Sequence, residues 1–150
     1  MSPFQTGLME IKAITAQLTW EVRHKAMWPN KPFSFIKIKN DAEGQHFGLY
    51  LENKLVSVIS IFITDTEAQF RKFATIPEYQ GNGYGSSLLS YIFKEMSGFG
   101  IKRLWCNARL DKTSFYERFG MAPTQTTFER GNIRYVIMES YLQGQKKAVK

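Results

Sequence analysis

Residues 70–89 constrain the fold of this chain more than any other stretch. Residues 70–76 are rich in β-branched and aromatic side chains and end at Pro77, which predicts a strand. Three glycines then alternate across a turn, at Gly81, Gly83 and Gly85. From Tyr84 onwards the apolar residues recur at helical spacing, which predicts one face of a helix. The stretch therefore predicts a strand, a glycine-rich turn and the start of a helix.

The junction between this turn and the helix is suited to binding an anion. The first amides of a helix have no partner within the helix, and the helix dipole adds partial positive charge there. Glycine lacks a Cβ atom, so a ligand can approach the backbone closely. Ser86 adds a hydroxyl group in the first turn. Three alternating glycines exceed what a purely structural turn needs, so we predict a phosphate site here.

The spacing excludes two common phosphate-binding motifs. A P-loop requires Gly-x-x-x-x-Gly-Lys-Ser/Thr, and no such lysine follows these glycines. A dinucleotide fingerprint requires Gly-x-Gly-x-x-Gly, and Ser86 stands where the last glycine would be. The pattern present is Gln-x-x-Gly-x-Gly, from Gln80 to Gly85. It resembles the acetyl-CoA signature of the GNAT N-acetyltransferase superfamily, in which this loop cradles the pyrophosphate of coenzyme A.

The resemblance implies acetyl-CoA as co-substrate and no metal. It assigns the cofactor loop to seven residues: Gln80, Gly81, Asn82, Gly83, Tyr84, Gly85 and Ser86. It also implies that a backbone amide of the preceding strand lies near the thioester, at Phe73, Ala74 or Thr75.

A second motif runs from Phe115 to Met121 and resembles the GNAT signature Phe-Tyr-x-x-x-Gly-Phe, with methionine in place of the final phenylalanine. A further departure is Lys112, where relatives often have alanine. The resemblance implies that Tyr116 is the general acid; the alternative is a tyrosine that only packs a short helix. Because the reference pKa is about 10 for tyrosine and about 8.5 for a thiol, full proton transfer to the thiolate is uphill by about 2 kcal/mol. We therefore expect Tyr116 to donate a hydrogen bond to the developing charge.

The implied reaction is direct attack of a primary amine on the thioester carbonyl, which requires a neutral amine. No base is evident in the sequence, and a water relay is an equal alternative. Asp65, Glu67, Glu21, His24 and Glu52 are candidates by chemistry alone. By family analogy, the first helix and the following loop contact the acceptor, which gives three weak substrate-binding candidates: Trp20, Arg23 and His24. Arg23 has the chemistry to bind a carboxylate; the alternative is that Trp20 and Trp28 only pack the helix onto the sheet.

Periodicity and turn signals predict ten main elements. In chain order they are strand 8–14, helix 16–27, strands 47–51, 55–63 and 70–76, a helix from 84, strand 102–108, helix 111–119, and a hairpin of 125–128 with 133–141. Residues 33–38 are either strand-like or part of a loop. On the first helix, Leu18, Val22 and Met27 are expected to face inwards. In the fourth strand, Phe70 and Phe73 lie three apart, which predicts a β-bulge.

This order resembles that of GNAT proteins. We therefore expect an α/β (α+β) fold with a single GNAT domain, a mixed central sheet of about six or seven strands, and flanking helices. A right-handed crossover around the second helix predicts one parallel strand pair. The domain is expected over residues 8–142, after a loose N-terminus at 1–7 and before a basic tail at 143–150.

Composition restricts the partners and the compartment. No apolar run reaches bilayer length and no signal-peptide pattern precedes the domain, so we expect a cytosolic protein and no membrane partner. The single cysteine, Cys106, excludes an intrachain disulfide and is expected to be a small buried residue. The net charge of +7 suits an anionic cofactor. The basic residues are scattered, so we expect no nucleic-acid partner.

These observations favour a cytosolic, acetyl-CoA-dependent N-acetyltransferase that acts on a small-molecule amine. One alternative keeps the enzyme and changes the acceptor to a protein lysine or N-terminus. Another is a non-catalytic acyl-CoA-binding regulatory module. A homodimer is common among GNAT relatives, but no surface in the sequence identifies one.

Overall fold

The computed structural model describes residues 8–142, and the predicted loose N-terminus and basic tail lie outside them. Seven strands form: β1 Met9–Ile14, β2 Gln45–Leu51, β3 Lys54–Thr64, β4 Glu67–Thr75, β5 Arg103–Arg109, β6 Ala122–Arg130 and β7 Ile133–Tyr141. Three α-helices form: α1 Ala16–Met27, α2 Tyr84–Gly98 and α3 Thr113–Glu117. Short 3₁₀ turns cover Phe33–Ile36, Asp41–Glu43, Pro77–Tyr79 and Leu110–Lys112.

The predicted single domain with a mixed sheet is confirmed. The seven strands form one sheet in the order β1-β2-β3-β4-β5-β7-β6. β4 pairs with β5 in parallel over Glu67–Gln69, as the predicted crossover requires. The pairs β1–β2, β2–β3, β5–β7 and β6–β7 are antiparallel. Among residues 8–142, no helix has both the length and the apolar character needed to cross a bilayer.

Within this domain the chain forms two compact units. Of the described residues, the first unit comprises 8–62 together with Lys72–Tyr91. One cluster of its core combines α1, β3 and the end of β4, through Val22, Val58, Ala74 and Ile76. β3 is buried along most of its length, as its nearly continuous apolar sequence predicts.

The second unit comprises Ile63–Arg71 together with residues 92–142 of the described part of the chain. Its core includes buried residues of α2, β5 and β7, among them Ile92, Met96, Leu104 and Met138. Cys106 is 2% exposed in β5, which confirms it as a small buried residue.

The prediction for the inner face of α1 is wrong at Leu18. This side chain is 49% exposed, whereas Val22 is buried as predicted. Thr19 and Arg23 are buried on the same helix. Arg23 is buried because its two terminal nitrogens donate tertiary hydrogen bonds to Asp41, while its Nε has no hydrogen-bond partner within residues 8–142. These tertiary bonds leave no trace in the hydrophobic pattern.

Two further segments depart from extended structure. Residues 33–36 form a 3₁₀ turn rather than a strand, directly after Pro32. In β4, Lys72 has a φ of 53°, which is uncommon for a residue other than glycine. Such a residue between Phe70 and Phe73 is compatible with the predicted bulge.

Candidate active site

The predicted phosphate loop joins β4 to α2. The 3₁₀ turn Pro77–Tyr79 follows the strand, and Gly81 and Gly83 then adopt φ values of 81° and 85°. These left-handed conformations explain why glycine stands at both positions. The Ser87 amide donates to the Gly83 carbonyl at 3.0 Å, which closes the first hydrogen-bonded turn of α2.

The backbone of this loop is accessible to a ligand. A Cβ atom added at Gly81 or Gly83 would meet no heavy atom within 4 Å, so open space adjoins both residues. The amides that precede Ser87 at the start of α2 have no helical partner, and the dipole of the helix favours negative charge there. These features fit a pyrophosphate group, which would be held by backbone amides.

Gly85 serves a different purpose from the other two glycines. A Cβ atom at this position would lie 3.3 Å from Oγ1 of Thr75 and 3.4 Å from Cζ of Phe73. Glycine therefore allows α2 to approach the end of β4 closely. The structure thus brings the loop together with the strand residues that are predicted to lie near the thioester.

Polar side chains of the loop bind its own backbone. Nε2 of Gln80 donates to the Thr75 carbonyl at 2.9 Å. Nδ2 of Asn82 donates to the carbonyls of Gln80 and Tyr79 at 3.3 and 3.4 Å. Gln80 and Asn82 therefore shape the loop in this structure. Ser86 is half-buried in the first turn of α2, and the ring of Tyr84 lies 6.3 Å from that of Tyr79.

A serine that was not singled out in the sequence organises the end of β4. The hydroxyl of Ser57 donates to the Ala74 carbonyl at 3.1 Å and lies 2.9 Å from Oγ1 of Thr75. Ser57 is fully buried in β3. No local sequence signal marks this role, because its partners are 17 and 18 residues away along the chain.

Tyr116 lies on the short helix α3 and is half-buried. The centroid of its ring lies 5.8 Å from the ring centroid of Phe70 and 5.1 Å from that of Phe115. After α3, Gly120 adopts a φ of 88°. The Met121 amide there donates to the Tyr116 carbonyl at 3.3 Å. The second motif therefore fixes the backbone around Tyr116, with glycine where the left-handed turn requires it.

The environment of Tyr116 keeps its phenol protonated. Burial raises the pKa of Tyr116 above its ordinary value, and the charge of an ionised Cys106 would raise it further. A phenol that holds its proton tightly is a hydrogen-bond donor throughout the neutral range but a weak proton source. This supports donation of a hydrogen bond to a developing thiolate rather than early proton transfer.

The substrate-binding role expected of Arg23 does not fit the structure. Its guanidinium is fully buried and donates to both carboxylate oxygens of Asp41, at 3.0 and 2.9 Å. It also donates to the Ile36 carbonyl at 3.1 Å and to the Ser60 hydroxyl at 2.9 Å. Opposite charge and hydrogen bonds from Arg23 lower the pKa of Asp41, although burial alone would raise it. Arg23 therefore has a structural role and is not positioned to bind a substrate carboxylate.

The other two substrate candidates also have partners. Nε1 of Trp20 donates to Asp41 at 3.2 Å, and Nε2 of His24 donates to the Lys31 carbonyl at 2.8 Å.

Two of the carboxylates that were considered as the general base form ion pairs. Oε1 of Glu67 lies 3.1 Å from Nη1 of Arg103, and Oε2 of Glu21 lies 3.1 Å from Nζ of Lys25. These ion pairs do not indicate that either glutamate is the general base.

Alkaline pH should destabilise the fold through Cys106. Burial raises the pKa of this thiol to about 12. The unfolded chain therefore ionises first, so stability is complete below pH 9 and is lost as the pH rises towards 12. Between pH 8 and pH 11 this thiol should account for about 3 kcal/mol of lost unfolding free energy. Urea unfolding of the wild type and of Cys106→Ala at both pH values measures the difference. Equal losses in the two proteins would contradict the prediction.

Sequence comparison places the chain among known acetyltransferases. The family model described as "Acetyltransferase (GNAT) family" matches residues 10–121. An uncharacterized N-acetyltransferase, YitI of Bacillus subtilis, is 27% identical over 91% of this chain and 98% of its own length. A [ribosomal protein bS18]-alanine N-acetyltransferase of Haemophilus influenzae is 29% identical over 75% of this chain and 79% of its own.

Solved structures share the fold. A putative N-acetyltransferase from Lactobacillus plantarum superposes with a TM-score of 0.80 at 19% identity, covering 89% of this chain and 98% of that one. A GNAT family acetyltransferase from Elizabethkingia anophelis with acetyl-CoA bound gives 0.72 at 14% identity, covering 90% and 99%. The family match extends over both the cofactor motif and the Tyr116 motif. The chain therefore belongs to the GNAT family of acetyltransferases.

Proposed function

We propose that this protein transfers an acetyl group from acetyl-CoA to a primary amine. The observation that carries the proposal is the open backbone of Gly81 and Gly83 at the start of α2. The amides there would hold the pyrophosphate, and the strand residues 73–75 would orient the acyl end. A solved GNAT structure with acetyl-CoA bound supports this choice of donor.

Acetyl-CoA, when bound, supplies an activated thioester. In the transfer a C–N bond forms, the thioester C–S bond breaks, the amine loses a proton, and the departing sulfur gains one. An alkyl ammonium with a pKa of about 10.4 must first be deprotonated, at a cost of roughly 4–5 kcal/mol at pH 7. The raised pKa of Tyr116 keeps its hydroxyl available to donate to the sulfur. A base or a water relay takes the amine proton.

A small-molecule amine is the first candidate acceptor. A polypeptide amine is the second, because the turn after α1 carries two exposed aromatic residues, Phe33 and Phe35, and lysines lie over the rings of Phe35 and Trp20. The name of the Haemophilus influenzae relative, which acts on a ribosomal protein, also favours this candidate.

The free thiol of Cys106 is compatible with a cytosolic location. A homodimer stays a prediction.

Acetyl-CoA should raise the melting temperature and ATP should not. At about 100 times the dissociation constant, a ligand adds roughly 2.7 kcal/mol, which corresponds to several degrees for a domain of this size. Thermal shifts with acetyl-CoA, coenzyme A and ATP measure this. No shift with either coenzyme A species would contradict the cofactor assignment.

Release of the coenzyme A thiol from acetyl-CoA, measured with a panel of small amines and peptides as acceptors, then tests turnover. Binding without turnover on any acceptor would favour a non-catalytic module.

A further inference from the structure

Aromatic residues and lysines share one surface of α1 and the turn that follows it, where Phe33 and Phe35 are exposed and the other aromatic side chains are half-buried. We call it the aromatic–lysine surface, and it comprises Trp20, His24, Trp28, Lys31, Phe33, Phe35 and Lys37. Phe33 and Phe35 are 46% and 48% exposed, which is high for side chains of this kind. Adjacent exposed aromatic residues are typical of interaction sites rather than of a plain solvated helix.

Two lysines lie over aromatic rings of this surface. Nζ of Lys37 is 4.4 Å from the ring centroid of Trp20, and Nζ of Lys31 is 5.3 Å from that of Phe35. The ring holds each flexible side chain in place and removes water from one side of the ammonium. The charge is thus oriented before any ligand arrives, so less conformational entropy is lost on binding.

The aromatic rings support one another. Phe33 meets the edges of Trp20 and His24, with centroids 6.4 and 5.4 Å apart. Trp28 contacts Phe35 edge to face at 5.3 Å. Such aromatic pairs are favourable beyond the area that they bury. The surface therefore consists of two packed groups of rings, one around Phe33 and one around Phe35, rather than of separate side chains.

The buried ion pair beneath this surface fixes its geometry. Asp41 accepts from Nε1 of Trp20 at 3.2 Å and from the Ile38 amide at 3.0 Å. Arg23 binds the same carboxylate and the Ile36 carbonyl. The ring under Lys37 and the backbone on either side of this lysine are therefore attached to one rigid group. Such preorganisation favours a specific binding surface.

The charges around this surface are unbalanced. In the segment 16–41, Glu21 pairs with Lys25 and Asp41 pairs with Arg23. Three lysines of the segment remain, Lys31, Lys37 and Lys39, and within residues 8–142 the structure records no carboxylate beside them. Carboxylates next to apolar side chains would complement this surface.

We propose that the aromatic–lysine surface docks an acidic segment of a polypeptide acceptor, whose amine the enzyme acetylates. Carboxylates of the segment pair with Lys31 and Lys37, and its apolar side chains contact Phe33 and Phe35. A single-stranded nucleic acid fits less well, because bases stack on free ring faces and here the rings of Trp20 and Phe35 each carry a lysine. The acceptor role rests on the proposed function, whereas the docking does not.

The first test is selection from a randomised peptide library without acetyl-CoA. We expect wild-type protein to select peptides enriched in Asp and Glu next to aromatic or aliphatic residues. The double variant Lys31→Gln/Lys37→Gln should bind the selected peptides at least tenfold more weakly. A control with the same net charge, Lys94→Gln/Lys102→Gln, changes two exposed lysines elsewhere and should bind within about twofold of wild type. No acidic enrichment, or equal loss in both variants, would overturn the proposal.

A second test separates docking from catalysis. With a selected peptide that carries a free amine as acceptor, Lys31→Gln/Lys37→Gln should raise KM about tenfold and leave kcat within twofold. Lysine-dependent peptide binding without acetylation would overturn the acceptor role and leave the docking intact. If acetyl-CoA does not raise the melting temperature of the wild-type protein, the proposed function is overturned and the docking is not. Tighter binding of a single-stranded oligonucleotide of equal charge, also dependent on Lys31 and Lys37, would overturn the choice of partner.

Discussion

Replacing Gly83 with alanine is expected to remove most of the affinity for acetyl-CoA while the protein still folds. Gly83 has a φ of 85°, and its missing Cβ leaves open space at the start of α2. A methyl group would project into the space that the pyrophosphate needs, and the backbone would prefer another conformation by about 1–2 kcal/mol. We expect the dissociation constant to rise about 100-fold, equivalent to about 2.7 kcal/mol. Isothermal titration with acetyl-CoA measures this change.

Gly100 offers a matched control for this experiment. It follows the other end of α2 with a φ of 84°, and a Cβ added there also meets no atom within 4 Å. Gly100→Ala should therefore lose a similar amount of stability without losing acetyl-CoA affinity. If the two variants bind acetyl-CoA equally well, the anion is not held at the start of α2.

Replacing Tyr116 with phenylalanine should lower kcat by about 10²–10³-fold with little change in acetyl-CoA affinity. Phenylalanine keeps the ring contacts with Phe70 and Phe115 and removes only the hydroxyl. The loss should therefore fall on the step in which sulfur acquires charge. Because burial raises the pKa of Tyr116, its ionisation should not reduce kcat below pH 10. Steady-state rates across this pH range, together with acetyl-CoA titrations, test both statements.

The control for this variant is Tyr141→Phe. Tyr141 is 57% exposed, and its hydroxyl lies 3.5 Å from Glu139. Removing this hydroxyl should leave kcat within about twofold. An unchanged kcat in Tyr116→Phe would exclude the tyrosine from the mechanism, and the sulfur would then need another donor.

Elements with strong local signals were predicted well. The helix that begins at Tyr84 follows a clear change of hydrophobic period, and its end at Gly98 precedes a left-handed glycine. The final hairpin turns at Gly131 and Asn132, both with positive φ, where the sequence predicts a turn. In each case the residues that set the conformation are neighbours along the chain.

Features that depend on distant partners were not predictable. Arg23 is a charged residue that is buried in α1 because it donates hydrogen bonds to Asp41, 18 positions away along the chain. Leu18 is exposed because the buried face of α1 is formed by Thr19, Val22 and Arg23. The Ser57 contact with Thr75 likewise joins two strands. A single sequence carries no signal for such pairs. Its glycine motif predicts a cofactor loop from adjacent residues, whereas no comparable motif predicts the acceptor site or the base.

The ion pair between Arg23 and Asp41 also limits how this sequence can evolve. Removing one partner of a buried pair leaves an uncompensated charge and costs about 3–5 kcal/mol, a large part of the stability of a small domain. A lineage that loses either residue alone therefore passes through a poorly folded intermediate. Replacement of both residues by a packed apolar pair avoids that intermediate. Among descendants of this protein, the two positions should thus covary, and the orientation of α1 should be inherited with them.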